Sequence, residues 1–200
     1  MRKILLLLFS MLISFNSYGS IFDKTVCVET DSQLRDGVIY LPNKTKPFSG
    51  KNLCKYENGQ SKSKGKIKDG RKNDVWTEWE ENGQKKEETN YKDGKSHGMM
   101  TEWHENSQLY SEGNMKDGEL DGKVTVWYDT GLKYFEYSSQ GESTFREWYE
   151  NSQIKWMGTL YNNVENGKWI KWDENGQKIS ESIYKDGECI GGDCSTDLYL

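Results

Sequence analysis

Two histidines, four cysteines and scattered carboxylates are the side chains of this 200-residue sequence that could do chemistry. His97 stands before Gly98 in a slot held elsewhere by Asp121 and Asn166. His104 stands in a slot held elsewhere by Glu80, Tyr128, Tyr149 and Asp173. A general base or a metal ligand needs fixed partners, and both histidines instead read as variations at surface positions of a repeat. Paired carboxylates such as Glu80-Glu81 lead into turns, and no pair stands apart as the acid and base of a glycosidase. Asp117-Gly118-Glu119-Leu120-Asp121-Gly122 sets acids on neighbouring turns without the spacing of an EF-hand or a calcium β-roll, so Asp-Gly reads as turn chemistry. There is no Ser-His-Asp arrangement, HExxH motif or phosphate-cradling glycine loop. The expectation is a non-enzyme with no catalytic residues, no metal ligands and no cofactor.

The cysteines point to covalent cross-links. Cys27, Cys54, Cys189 and Cys194 lie toward the two ends of the chain, with none between. Their spacing is unlike a zinc knuckle, whereas an even count in an exported chain favours disulfides. Of the three connectivities, Cys27–Cys54 with Cys189–Cys194 is favoured, because it staples both ends of a stacked structure, where unpaired strand edges need capping. Export is read from the first residues. Arg2-Lys3 precede an apolar run from 4 to 15, and Ser17-Tyr18-Gly19 offers small residues for a signal peptidase, so residues 1–19 are expected to be a signal peptide. The product would be periplasmic or secreted.

The elements that must position any site are announced by a repeat. Asn58-Gly59, Asn82-Gly83, Asn106-Ser107, Thr130-Gly131, Asn151-Ser152 and Asn175-Gly176 recur at 24-residue intervals, except for 21 residues between Gly131 and Ser152. Such a period signifies stacked supersecondary units and favours an extended binding surface over a pocket. Four residues before the second residue of the last five turns stand Trp79, Trp103, Trp127, Trp148 and Trp172; seven before it stand Trp76, Met100, Val124, Phe145 and Trp169. Eight after the turn glycine or serine come Ile67, Tyr91, Met115, Leu160 and Tyr184, and then a second turn such as Asp69-Gly70 or Asp93-Gly94. Asn-Gly and Asp-Gly both suit type I′ hairpin turns, and the intervening segments alternate as half-buried strands do, for example Ile154-Lys155-Trp156-Met157-Gly158-Thr159-Leu160. Serine fits a positive φ poorly, so another turn type is expected at Asn106-Ser107 and Asn151-Ser152. Trp76 and Trp79, three apart, imply either a bulge or a strand covered on both faces. The reading is an all-β fold of stacked antiparallel hairpins in one elongated twisted sheet, on the order of 60 Å long. It divides into a lead-in or cap over 20–47, six repeats over 48–191 and a tail over 192–200. The regular tryptophans Trp79, Trp103, Trp127, Trp148 and Trp172 are read as its structural ladder.

Trp76-Thr77-Glu78-Trp79-Glu80-Glu81-Asn82-Gly83-Gln84, Gly94-Lys95-Ser96-His97-Gly98 and Tyr184-Lys185-Asp186-Gly187 resemble MORN repeats in the variant form common in bacteria. Asp36-Gly37-Val38-Ile39-Tyr40 and Pro47-Phe48-Ser49-Gly50-Lys51 resemble the lead-in of that group, many of whose members carry the label YwqK-type antitoxin. The resemblance implies stacked hairpins and non-catalytic roles in protein or lipid binding.

Charge narrows the partner. Loss of Arg2 and Lys3 takes the formal charge from −5 to −7, which argues against nucleic acid and against an anionic membrane surface. The aromatics that vary between units are the surface candidates: Tyr110, Tyr128, Tyr134, Phe135, Tyr137, Tyr149 and Trp156, gathered around the 21-residue irregularity. The expected function is a repeat scaffold that binds a protein through this aromatic patch. The alternatives are an immunity-type protein neutralising a basic toxin, and a lipid or cell-wall glycan binder. Exposed sheet edges would also allow a homodimer.

Overall fold

The computed structural model describes residues 24–138 and 141–194; the expected signal peptide over 1–19 and residues 195–200 of the expected tail lie outside the described residues. After a two-residue strand β1 (Thr25–Val26), a single helical turn α1 (Val28–Asp31) and a small hairpin of β2 (Gln33–Arg35) and β3 (Val38–Tyr40), the chain becomes a continuous meander. The hairpins are β4 (Gly50–Lys55) with β5 (Ser61–Lys68), β6 (Arg71–Trp79) with β7 (Lys85–Lys92), and β8 (Lys95–Trp103) with β9 (Leu109–Lys116). They continue as β10 (Glu119–Trp127) with β11 (Lys133–Ser138), β12 (Glu142–Trp148) with β13 (Ile154–Tyr161), and β14 (Val164–Trp172) with β15 (Lys178–Lys185), and β16 (Glu188–Gly192) ends the row. Together with β1 these make one 14-stranded sheet in chain order, antiparallel except where β1 runs parallel beside β4. The all-β stacked-hairpin expectation is met, and no helix among the described residues is long and apolar enough to cross a membrane.

The two kinds of turn differ. In the Asp-Gly turns both residues take positive φ, as at Asp93 (51°) and Gly94 (89°), which is the type I′ geometry expected. In the Asn-Gly turns only the second residue does. The Gly59 amide donates to the Tyr56 carbonyl and the Tyr56 amide to the Gln60 carbonyl, both at 2.9 Å, which is a type I turn closed by a left-handed residue. The type I′ expectation is therefore corrected for this set. Ser107 (φ 68°) and Ser152 (φ 65°) adopt the same geometry as the glycines they replace, so the expectation of another turn type there is corrected too. The hydrogen-bonded loop dictates the conformation, and serine accepts the strain.

Hydrogen bonds tie hairpins to their neighbours at both margins. At one, the Tyr56, Tyr128 and Tyr149 hydroxyls donate to the carbonyls of Trp79, Trp148 and Trp172, at 2.7 to 2.9 Å. At the other, glycines of the type I′ turns donate back across the sheet, as Gly94 does to Lys72, Gly118 to Ser96 and Gly187 to Glu165. Both expected disulfides are formed. Cys27–Cys54 fastens the segment entering α1 to the first hairpin, and Cys189–Cys194 closes a loop after the last strand.

The core lies along one face and is concentrated in two places. Val26, Phe48, Ile67 and Trp76 are buried at the N-terminal end, where Ile39 and Leu41 of the lead-in pack over them. Phe145, Leu160, Trp169 and Tyr184 are buried toward the C-terminal end, with Phe135, Tyr137 and Trp156 against them. The residues seven before and eight after the turn residue are thus buried in these two places, whereas Tyr91, Met100, Met115 and Val124 between them are half-buried. The ladder of Trp79, Trp103, Trp127, Trp148 and Trp172 is also half-buried. Trp76 and Trp79 point to opposite faces, and the ladder register shifts between Glu78 and Trp79 because Lys86 is an extra residue in the facing strand. The tryptophan ladder therefore belongs to the other face.

Candidate functional site

Direct pairing places residues of neighbouring strands on one face, so the register identifies what each face presents. On the core face one row runs Trp76–Thr89–Met100–Gly113–Val124–Tyr137. It continues in β12 to β15 as Phe145–Gly158 and Trp169–Ser182. Large side chains from one strand thus alternate with small ones from the next. The small residue is where a ring lies down: the Trp76 indole covers Gly65 and donates to the Lys66 carbonyl at 2.8 Å. Likewise Trp169 covers Gly158 and donates to the Thr159 carbonyl at 3.0 Å.

In the fourth hairpin this alternation fails. Tyr137 occupies the small position, and the strands that meet there, β11 and β12, have six and seven residues where their counterparts have eight and nine. The shorter pair is what the three missing residues before Ser152 produce. Among the described residues, none of the lead-in packs against this end. A cleft of about 420 Å³ results, lined by Tyr134, Phe135, Tyr137, Phe145, Glu147, Leu160 and Asn163. Its rings are ordered: Phe135 stacks on Tyr137 and on Phe145 at 6.2 and 6.3 Å between centroids, and Phe145 stacks on Trp169 at 5.5 Å. One charge stands in the wall, the Glu147 carboxylate, paired with Lys155 at 2.6 Å.

Of the seven expected patch aromatics, the structure brings Tyr134, Phe135 and Tyr137 together in this cleft. Tyr128 supports them from beside, its ring 4.9 Å from that of Tyr134. Trp156 packs edge-on against Trp169 and flanks the buried cluster. Tyr128 and Tyr149 have their hydroxyls engaged by the tryptophan carbonyls, with burial raising both phenol pKa values above the usual 10. Tyr110 lies apart from the cleft, edge-on to His104. Phe145, Glu147, Leu160 and Asn163 complete the cleft and were not expected there. Phe145 and Leu160 are buried core residues, as their position in the repeat implies, and they also line the cleft.

The opposite face is polar. Thr77–Glu88–Thr101–Glu112–Thr125–Glu136–Arg146 form one cross-strand row, beside the half-buried tryptophans, with Lys85 over the Trp103 ring and Lys133 over that of Trp148. Glu136 is 7% exposed and meets Lys123, Lys133 and Arg146 at 2.8, 2.9 and 3.2 Å. Burial pushes its carboxyl upward, but hydrogen bonds from Lys123 and Lys133, with their charges, outweigh this and bring it from 4.5 down to about 2. His104 replaces the stapling tyrosines, with Nε2 at 2.9 Å from the Trp127 carbonyl. His97 Nδ1 faces Asp117 at 3.4 Å. The His104 contact joins its hairpin to the next, and the His97 contact sets β8 beside the turn that leaves β9.

Comparison with known proteins bears on the hairpins individually. No curated protein matches the chain. Residues 75–93, 96–117 and 165–186 match the family model described as MORN repeat variant. These stretches fall on the hairpins β6–β7, β8–β9 and β14–β15, so three of the hairpins carry that repeat, and the cleft lies between the matched parts.

Proposed function

We propose that this chain is an exported, non-catalytic binding module that holds a protein partner by seating one of its apolar side chains in the cleft beside Tyr134. The carrying observation is the uncovered end of the aromatic row. Its volume of about 420 Å³ lies within the range of ligand sites, its walls are mostly aromatic, and clustered aromatic anchors are what binding hot spots are made of. The two disulfides suit an oxidising compartment. Neutralisation of an envelope toxin is one form this capture would take.

Tyr134 is the residue to test, because it is 37% exposed, whereas Phe135 and Tyr137 also support buried Phe145. A photo-crosslinking amino acid at 134, used in the native host, should capture one defined protein, and Tyr134→Ser should weaken that complex about tenfold with the near-ultraviolet circular dichroism retained. Equal capture from a probe placed at Lys51, on the far end of the sheet, would defeat the assignment.

A further inference from the structure

The register runs beyond the cleft. Phe135 belongs to an unbroken cross-strand row, Glu78–Glu87–Glu102–Ser111–Val126–Phe135–Glu147–Trp156, each member directly opposite the next. One end of this row is aromatic and opens on the cleft. The other end is three carboxylates side by side on β6, β7 and β8. Like charges directly opposite destabilise a sheet, and the nearby cations gather at Glu78, whose charge acts on Lys62 and Lys86. Lys72 stands 3.7 Å from Glu78, while Glu87 and Glu102 accept hydrogen bonds from Thr89 and Ser111 and have no salt bridge among the described residues.

From this arrangement we infer that the cleft's occupant is an extended, cationic segment of a partner protein, lying across the strands with an aromatic or aliphatic anchor in the cleft and Lys or Arg over Glu87 and Glu102. This rests on the reading of the cleft as the partner-binding site and adds the partner's chemistry. With strands roughly 4.8 Å apart, Glu102 lies about 14 Å and Glu78 about 24 Å from Phe135, which is about four to seven residues of extended chain. The molecule contains a precedent for such an anchor. At the other end of the same face the extended lead-in buries Phe48 to 6% exposure against Ile67 and Trp76. Its backbone is held there by bonds from the Phe48 amide to the Ile39 carbonyl and from the Gly70 amide to the Phe48 carbonyl. The net charge of −5 makes a cationic segment the favoured visitor, and a second copy of this acidic chain a poor one.

The test uses the purified, disulfide-bonded protein and a fluorescein-labelled peptide, Lys-Lys-Lys-Gly-Ser-Gly-Ser-Phe, read by fluorescence anisotropy. Saturable binding is expected, weakening steeply with salt. The pair Glu87→Gln with Glu102→Gln should raise Kd about tenfold and flatten the salt dependence, while raising thermal stability because like charges are removed. The peptide with Ala in place of Phe should also bind about tenfold more weakly. Binding that ignores the glutamine pair but needs Phe would overturn the cationic assignment and leave the cleft reading standing. Binding that needs the lysines but not Phe would overturn the cleft reading itself. A glutamine pair that lowers stability would make the carboxylates structural acceptors and overturn the inference. So would a dimer in sedimentation equilibrium that Tyr134→Ser dissolves, since a second copy would then fill the cleft.

Discussion

Glu136 is the charged side chain that the fold buries among the described residues, and its neighbours explain how it can. Isolated, a buried carboxylate would be neutralised; held by Lys123, Lys133 and Arg146 it stays ionised, with its pKa near 2 against the ordinary 4.5. Because the folded value is the lower one, its stabilisation is complete above about pH 5 and is lost as pH falls from there toward 2. A shift of this size corresponds to at most about 3 kcal/mol, and the exposure of the three cations reduces the expected share to about 1–2 kcal/mol. Urea unfolding of Glu136→Gln should therefore fall below wild type by about that amount at pH 7, and the two should converge near pH 2. Parallel pH profiles would show that the cluster contributes nothing through ionisation. The residue itself was not legible in the sequence. Glu136 is one of many Glu and Lys in an interleaved chain, and only the register brings Lys123 and Arg146 onto its face from the strands on either side.

At the scale of the element, the hairpins depend on the alternation of large and small side chains along the core face. Gly158 lies beneath the Trp169 ring so closely that a methyl there would overlap its six-membered ring, whereas at Gly113 the nearest neighbour of such a methyl is a mobile Leu120 carbon at 3.2 Å. Gly158→Ala should accordingly cost about 2–3 kcal/mol, the scale of overpacking in a rigid core, and Gly113→Ala less than about 1 kcal/mol. Thermal denaturation of both decides it: equal losses would mean that the ring moves aside freely. The hairpins and their order were plain from Asp-Gly and Asn-Gly spacing, because positive φ is a chemical demand few residues meet. The face assignment was harder to read. Tryptophan recurs four residues before five of the six turns, with Lys55 before the first, which suggests a core, while in those five units the position seven before the turn varies among Trp, Met, Val and Phe. Burial there follows from the ring's fit over a small residue in the adjacent strand, as Trp169 fits over Gly158 and Trp76 over Gly65, and that pairing is invisible until the register is known.

For the whole molecule, the two buried clusters make stability local. Val26, Phe48, Ile67 and Trp76 share no member with Phe145, Leu160, Trp169 and Tyr184, and, apart from β1 beside β4, the strands of the long sheet pair among the described residues with their sequence neighbours. In such a stack stability is close to a sum of unit and interface terms, so one end can open while the other stays closed. The Cys27–Cys54 bridge, spanning 27 residues, ties the lead-in over the N-terminal cluster. Replacing both cysteines by serine removes a constraint worth about 2–4 kcal/mol, and also loosens the sulfur packing of Cys54, which is 1% exposed. Hydrogen exchange should then quicken in β4, β5 and β6, where Phe48 and Ile67 lose their cover, and stay at wild-type rates in β12 to β15. A fold with one cooperative core would instead lose protection evenly across all the strands, and the same experiment would register it. The distinction matters for binding. The cleft lies in the half that has no lead-in to cap it, so its rigidity must come from the stacked rings of Phe135, Phe145 and Trp169. If protection in β12 to β15 survives loss of the bridge, the cleft is built by its own hairpins, and its geometry is independent of how firmly the N-terminal end is held.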